Sequence, residues 1–418
     1  MIGAKVNTKA YKAKGEMKKK QFKGFSFEET LLSHYNNLNR SAKKIAKKYF
    51  KENIHAENGF AGLSVEEAIQ EFLFEVKASV PFPGPGKDKG KFTFIDLFAG
   101  IGGFRMALQN LGGECVFSSE WDKYAQQTYR ANYGDIPLGD ITKKETKESI
   151  PKQFDLLCGG FPCQPFSIAG VTKKNSLGRK HGFDDEKQGN LFFHVEEIIK
   201  THRPKAFFLE NVKNLISHDN GNTFKIIKTR LEALHYSFDH KVLDGKHFVP
   251  QHRERTIMIG FNKSVFGNEI GFDFSKIKLP EANHKLEDIL ETNPDAKYTL
   301  SAHLWNYLQE YAKKHKAKGN GFGFGLADPN GITRTMSARY YKDGAEILIA
   351  QKNKPPRRLT VGEAAKLQGY PEGFLFKKVS MNQGYKQFGN SVVVPLIEAV
   401  GTEIIKILKP TIKYKHVK

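Results

Sequence analysis

The chain has 418 residues, 39% of them hydrophobic and 27% charged, enough for two or three folded domains and unlike a small disulfide scaffold or a disordered chain. Its 66 Lys+Arg against 45 Asp+Glu give a formal net charge of +21, which favours a polyanionic partner, with nucleic acid ahead of a membrane surface. No apolar run approaches the roughly 20 residues of a spanning helix, and the lysine-rich start MIGAKVNTKAYKAKGEMKKK lacks the apolar stretch of a secretory signal. Cys115, Cys158 and Cys163 lack metal-ligand spacing, so a cytoplasmic protein without a metal centre is expected.

Roughly the first 20 residues are expected to form a solvated basic arm. From Phe25 to Val80 apolar residues recur at helical spacing, as in Leu31, Leu32, Tyr35 and Leu38, predicting two or three helices. Ser41 and Ser64 occupy N-cap positions, the second within a capping-box pattern ending at Glu67. The stretch Pro81-Phe82-Pro83-Gly84-Pro85-Gly86 reads as a linker, with a boundary near residue 90. Beyond it, short apolar runs at Phe92–Phe98, Glu114–Ser118, Asp155–Leu157, Ala206–Leu209 and Thr256–Phe261 alternate with helical segments and predict a parallel sheet flanked by helices. Asn262 to Pro356 reads as a smaller, loop-rich domain, and Ser391 to Leu408 as a helix returning to the main core.

Chemistry-bearing residues cluster at the ends of these strands. Phe98-Ala99-Gly100-Ile101-Gly102-Gly103 is a glycine turn that opens a helix, where backbone N–H groups can approach a ligand. Glu120 and Trp121 end the next strand, where an acid can accept from ribose hydroxyls and an indole can stack on adenine. Together these features suggest an adenosine-containing cofactor. Cys163 lies in a proline-bracketed loop after the third strand and is the candidate nucleophile, whereas Cys158 and Cys115 read as core thiols. Glu210 ends the fourth strand and is a candidate general acid. Arg253 and Arg255 in Gln-His-Arg-Glu-Arg are expected to divide the binding of substrate and the pairing with an acid or phosphate. Gln387 to Ser391 reads as a turn that closes the cofactor pocket.

Taken in order, FIDLFAGIGGF, Pro-Cys-Gln, Glu-Asn-Val, Gln-x-Arg-x-Arg and Gly-Asn-Ser-Val make the chain from about Phe92 onward resemble the DNA (cytosine-5)-methyltransferases. The segments Val171–Arg179 and Ala338–Leu348 look most like Dcm-type enzymes. The resemblance implies an α/β, Rossmann-like S-adenosylmethionine-dependent methyltransferase domain at residues 91–275, completed by 385–418. A smaller target-recognition domain at 276–384 and a basic arm with a helical extension at 1–90 complete the expected organisation. It implies S-adenosylmethionine on Phe98, Ala99, Gly100, Gly102, Glu120, Trp121, Asp140, Ile141, Leu191 and Asn390, leaving as S-adenosylhomocysteine. Cys163 would add to cytosine C6, Glu210 would hold N3 and the amino group, Arg255 would hold O2, and Arg253 would support the loop or the cofactor side.

The same resemblance implies double-stranded DNA as partner, a flipped cytosine and a lid at Phe166 to Phe183. Gln164, Ser167, Thr335, Arg339, Tyr340 and Lys342 would contact the DNA, with Thr335 bracing the flipped nucleotide. The implied target is the inner cytosine of CCWGG or CCNGG, methylated by a protein monomeric on DNA, in a bacterial restriction-modification system or as an orphan methylase. An RNA enzyme of the tRNA type shares most of these motifs but lacks so large a recognition domain as the span from Phe261 to Arg358 allows.

Overall fold

The computed structural model describes residues 22–55, 60, 62–85, 90–162, 191–319, 323–342, 344–376 and 378–411. Helices α1 (Phe27–Ser33), α2 (Arg40–Phe50) and α3 (Val65–Ala78) come first. Ser64 and Glu67 form the expected capping box of α3, and Ser26 with Glu29 forms another on α1. The cap of α2 is Asn39 rather than Ser41: its side chain accepts from the Ala42 N–H, the reach that an N-cap needs, and Ser41 already lies inside the helix.

There follow β1 (Phe92–Leu97), α4 (Gly103–Asn110), β2 (Gly113–Ser119), α5 (Lys123–Tyr133), α6 (Lys144–Glu148) and β3 (Leu156–Gly160). Next come α7 (Leu191–His202), β4 (Ala206–Val212), α8 (Asn222–Ala233), β5 (Asp239–Asp244) and β6 (Glu254–Phe261). These strands form one sheet in the order β2-β1-β3-β4-β6-β5. β2, β1, β3 and β4 are mutually parallel, but β6 runs antiparallel to β4, and β5 antiparallel to β6. The sheet is therefore mixed rather than wholly parallel. β5 (DHKVLD) carries charged residues and lies at the sheet edge, which explains why its hydrophobic pattern is weak.

Period-two alternation sorts the central strands onto two faces. Phe92, Phe94, Leu156, Cys158, Phe208, Ile257 and Ile259 join one buried cluster, and Ile95, Leu97, Leu157, Phe207, Leu209 and Met258 join another. With both faces covered, these strands read as near-continuous apolar runs. The first face packs against α4, α5 and the C-terminal helices; the second packs against α7, α8 and the three N-terminal helices, whose Leu31, Tyr35, Phe50 and Ile69 belong to the same cluster as Leu97. The helical extension thus shares its core with the sheet.

The chain continues through α9 (Lys263–Phe266), α10 (Ala302–Ala317) and the hairpin of β7 (Leu348–Gln351) with β8 (Lys354–Arg358). Leu300, Leu308, Ala345 and Leu348 form a separate small cluster there, with Trp305 and Phe324 packed against it. Helices α11 (Val361–Leu367), α12 (Met381–Asn390) and α13 (Val394–Leu408) return to the main core. Gln387 to Asn390 is the last turn of α12 rather than a free turn, and the final helix begins at Val394, where Pro395 fits its first turn. Among the described residues no helix is long and apolar enough to cross a membrane.

Candidate active site

In the strand order β2-β1-β3-β4 the chain leaves β1 toward β2 and leaves the adjacent β3 toward β4, so the two connections part in opposite directions and open a crevice at the C-termini of β1 and β3. Open α/β sheets bind ligands at such a point. On one side β1 runs into the glycine turn, with Phe98 at φ 56 and Gly102 at φ 84 as the left-handed N-cap of α4. Gly102 is also fixed by space: a β-carbon there would come within 2.4 Å of the Tyr133 ring, whose hydroxyl donates to the Gly102 carbonyl at 2.8 Å. The Glu120 carboxylate accepts from the Gly100 N–H at 2.9 Å and the Asp122 N–H at 2.7 Å, bracing the turn. Burial pushes the Glu120 pKa up, while those two amides favour the charged form.

Neighbouring contacts assemble the rest of this pocket. The Glu120 N–H donates to Leu138 O at 2.9 Å and the Ser119 hydroxyl to Gly139 O at 2.8 Å, bringing Asp140 and Ile141 beside the turn. Asp140 accepts from the Thr142 N–H at 2.9 Å, and Ile141 is buried. Ser391 Oγ lies 3.1 Å from the position of a β-carbon on Gly103, so the adjoining Asn390 flanks the start of α4. Leu191 opens α7 next to Phe192, whose ring lies 5.8 Å from that of Phe161 at the end of β3.

Three features suit an adenosine-bearing cofactor. A β-carbon on Gly100 would meet only the Phe98 carbonyl, at 4.0 Å, leaving open space beside the backbone. Trp121 is 80% exposed next to that space, free to stack on a purine. The backbone amides of Gly100 and Asp122 occupy only part of the acceptor capacity of Glu120, which leaves a lone pair for a ribose hydroxyl.

Sequence reasoning assigned no role to Asp96, which lies between Ser118 of β2 and Cys158 of β3 with no exposed surface. Its Oδ2 has no hydrogen-bond partner and burial raises its pKa to about 8, so the carboxyl is held largely neutral behind the turn. It stands within the FIDLFAGIGGF motif, but its burial follows from its place between two neighbouring strands, which no local pattern encodes. Burial pushes the Cys158 and Cys115 thiols upward too, in keeping with core cysteines.

Across the crevice, β3 runs through Gly160 into Phe161 and Pro162. Cys163, Gln164, Ser167 and the expected lid at 166–183 lie outside the described residues. The register partner of Gly160 is Glu210, whose Oε2 stands 3.0 Å from where a β-carbon on Gly160 would be. Arg255 lies diagonally opposite Glu210 on the antiparallel β4–β6 pair, and its Nε meets Glu210 Oε1 at 2.8 Å. Burial raises the Glu210 pKa, against the Arg255 and Arg253 charges, so the carboxyl is more easily protonated than a surface glutamate.

Arg253 is not part of that reacting surface. It is 1% exposed, and its guanidinium donates to the carbonyls of Met336 at 3.0 Å, Gly389 at 2.9 Å and Ser391 at 2.5 Å. It is a clamp joining the start of β6 to the 333–337 segment and the end of α12, and burial lowers its pKa to about 9. Gln251, also fully buried, works alongside it, accepting from the Met336 N–H at 2.8 Å and donating to Leu367 O at 2.9 Å. Gly389 fits this clamp because a β-carbon would fall 2.3 Å from the Ser337 carbonyl oxygen.

A cleft of ≈ 680 Å³ opens between the sheet end at Val212, His252 and Arg255 and the segment carrying Arg334 and Thr335. The Thr335 hydroxyl donates to His252 O at 2.5 Å, so Thr335 and Arg255 share one cleft. Arg339 and Lys342 are exposed on the following turns. Tyr340 departs from the expectation of a DNA contact: it has no exposed surface, donates its hydroxyl to Ile347 O at 2.7 Å and accepts from the Leu359 N–H at 2.8 Å. Its aromatic body is needed inside, where the hairpin meets α11 and α12.

The model of the C-5 cytosine-specific DNA methylases matches residues 92–406. The chain belongs to that family. This methylase is 46% identical over 377 residues to a DNA-cytosine methyltransferase of Escherichia coli K12, covering 77% of this chain and 78% of the other. It is 49% identical over 341 residues to the type II methyltransferase M.SsoII of Shigella sonnei, covering 80% and 86%. Its fold resembles that of the Schizosaccharomyces pombe Dnmt2 methyltransferase, with a TM-score of 0.57 at 18% identity over 77% of this chain and 99% of that one.

Proposed function

We propose that this DNA cytosine-5 methyltransferase methylates the inner cytosine of CCWGG or CCNGG after flipping it from the duplex, with Cys163 as nucleophile. The observation that carries this reading is the Glu210–Arg255 ion pair beside Gly160, three residues before Cys163 in the chain. The Cys163 thiolate forms a bond to C6, and the displaced electron pair moves toward C5 and N3. Glu210, made easier to protonate by burial, supplies a proton at N3, while the Arg255 guanidinium stabilises charge at O2. The glycine turn, Glu120 and Trp121 would hold S-adenosylmethionine, which when bound would supply an electrophilic methyl group for C5 and be left as S-adenosylhomocysteine. Loss of the C5 proton to solvent or a nearby base then expels the thiolate, and return of the N3 proton to Glu210 leaves neutral 5-methylcytosine with its aromatic ring restored. Thr335, pinned to the cleft wall by His252 O, is in position to brace the backbone of an extruded nucleotide, and Arg339, Lys342, Gln164 and Ser167 are the remaining DNA contacts of this reading.

The test is tritiated methyl transfer to duplexes carrying CCAGG, CCTGG, CCGGG or CCCGG, with tRNA alongside. Label in the first two alone establishes CCWGG, and label in all four establishes CCNGG; label in tRNA alone overturns the reading. Cys163→Ser is expected to abolish transfer and leave S-adenosylhomocysteine binding intact. Retained transfer removes Cys163 from the mechanism.

A further inference from the structure

Residues 22–85 contribute none of the site motifs and lie outside the family match, yet the polar contacts of Lys77, Ser33 and His34 converge on the 133–136 segment behind the glycine turn. Lys77, in the last turn of α3, stands 2.7 Å from Asp135 Oδ1 and donates to the Tyr133 carbonyl at 2.9 Å. The other Asp135 oxygen is held at 2.5 Å by Arg105 of α4, the helix that the turn opens. The guanidinium of Arg105 lies 4.8 Å from the ring centre of Tyr133, whose hydroxyl reaches Gly102 O. From α1, Ser33 Oγ accepts the Ile136 N–H at 3.0 Å and the His34 ring meets Ile136 O at 3.1 Å. Two residues further on, Leu138 accepts from the N–H of Glu120.

We propose that the N-terminal helices are a positioning element of the cofactor site, with Lys77 setting the glycine turn through Asp135 and Tyr133. The inference rests on the reading of that turn as the S-adenosylmethionine site. Asp135 is buried, and the charges of Lys77 and Arg105 hold its carboxyl well below the ordinary carboxylate range. Without Lys77 the buried carboxylate keeps one cation, and the 133–136 segment has to shift to hydrate it. Tyr133 moves with that segment, and its hydroxyl sets the carbonyl of Gly102.

The experiment measures equilibrium binding of S-adenosylhomocysteine to the full chain by calorimetry and by tryptophan fluorescence, together with steady-state methylation. Wild-type binding tests the cofactor reading by itself; no binding at all overturns that reading and the proposal with it. Lys77→Met is expected to weaken S-adenosylhomocysteine roughly tenfold, with kcat at saturating cofactor within about twofold of wild type and KM for DNA unchanged. Lys77→Arg, which can still reach both acceptors, restores affinity. Tyr133→Phe weakens binding as well, and adding Lys77→Met to it costs less than the sum of the two. Wild-type affinity in Lys77→Met, even with a lowered melting temperature, reduces Lys77 to a fold brace and overturns the proposal. A defect in DNA affinity with cofactor affinity intact also overturns it, assigning the extension to the DNA surface. Should Lys77→Met not fold, Lys77→Gln, which keeps a donor for one acceptor, is read in the same assays.

Discussion

Asp96 ends a strand face otherwise lined by Phe92 and Phe94, and the fold leaves one of its oxygens without a partner. In the folded protein it keeps its proton to about pH 8, against 3.8 for the ordinary carboxyl. Between those limits the folded state binds more protons than the unfolded chain, so this group lowers stability as pH rises through the window and is neutral below it. Asp96→Asn mimics the protonated form. It is expected to raise the melting temperature over wild type by an increment that grows from pH 5 to pH 8, at up to about 1.4 kcal/mol per pH unit. Thermal unfolding at both pH values checks this, and an increment independent of pH contradicts it. Glu210 and Arg255 were legible from their strand ends, but their pairing follows from the antiparallel β4–β6 register, which no local pattern encodes.

Among elements, the segment from Thr333 to Glu346 shows how far residue type alone misleads. An aromatic flanked by Arg339 and Lys342 reads as a surface contact, yet Tyr340 is sealed between the β7–β8 hairpin and α12, its ring 5.0 Å from that of Tyr385. Tyr340→Phe leaves Leu359 N–H and Ile347 O without that hydroxyl and is expected to cost roughly 1–3 kcal/mol of stability. DNA affinity and its salt dependence are expected to stay unchanged. Lys342→Ala is expected to do the reverse, keeping stability and reducing the salt slope of DNA binding by about one. Denaturant unfolding and binding titrations at several salt concentrations separate the two. The clamp of Gln251, Arg253 and Gly389 was visible only as motif letters, because its partners are backbone carbonyls and amides contributed by distant segments.

Across the whole molecule, the helical extension and the sheet unfold together if the shared cluster governs stability. Phe50 is fully buried within it, 5.8 Å from the ring of Phe72. Phe50→Ala is therefore expected to cost about 3–5 kcal/mol and to lower a single transition seen by far-UV circular dichroism and by tryptophan fluorescence alike. An early separate transition belonging to the extension contradicts this. The sequence by itself determined the alternation of strands and helices, the glycine turn, the ordered motifs and the capping box at Ser64, because each depends on neighbours a few residues apart. Only tertiary structure decided the reversal of β6, the burial of Tyr340 and Arg253, the neutral carboxyl of Asp96 and the docking of α1 to α3 on the sheet. Those depend on which distant surfaces exclude water from one another, and solvent exclusion is a property of the assembled chain.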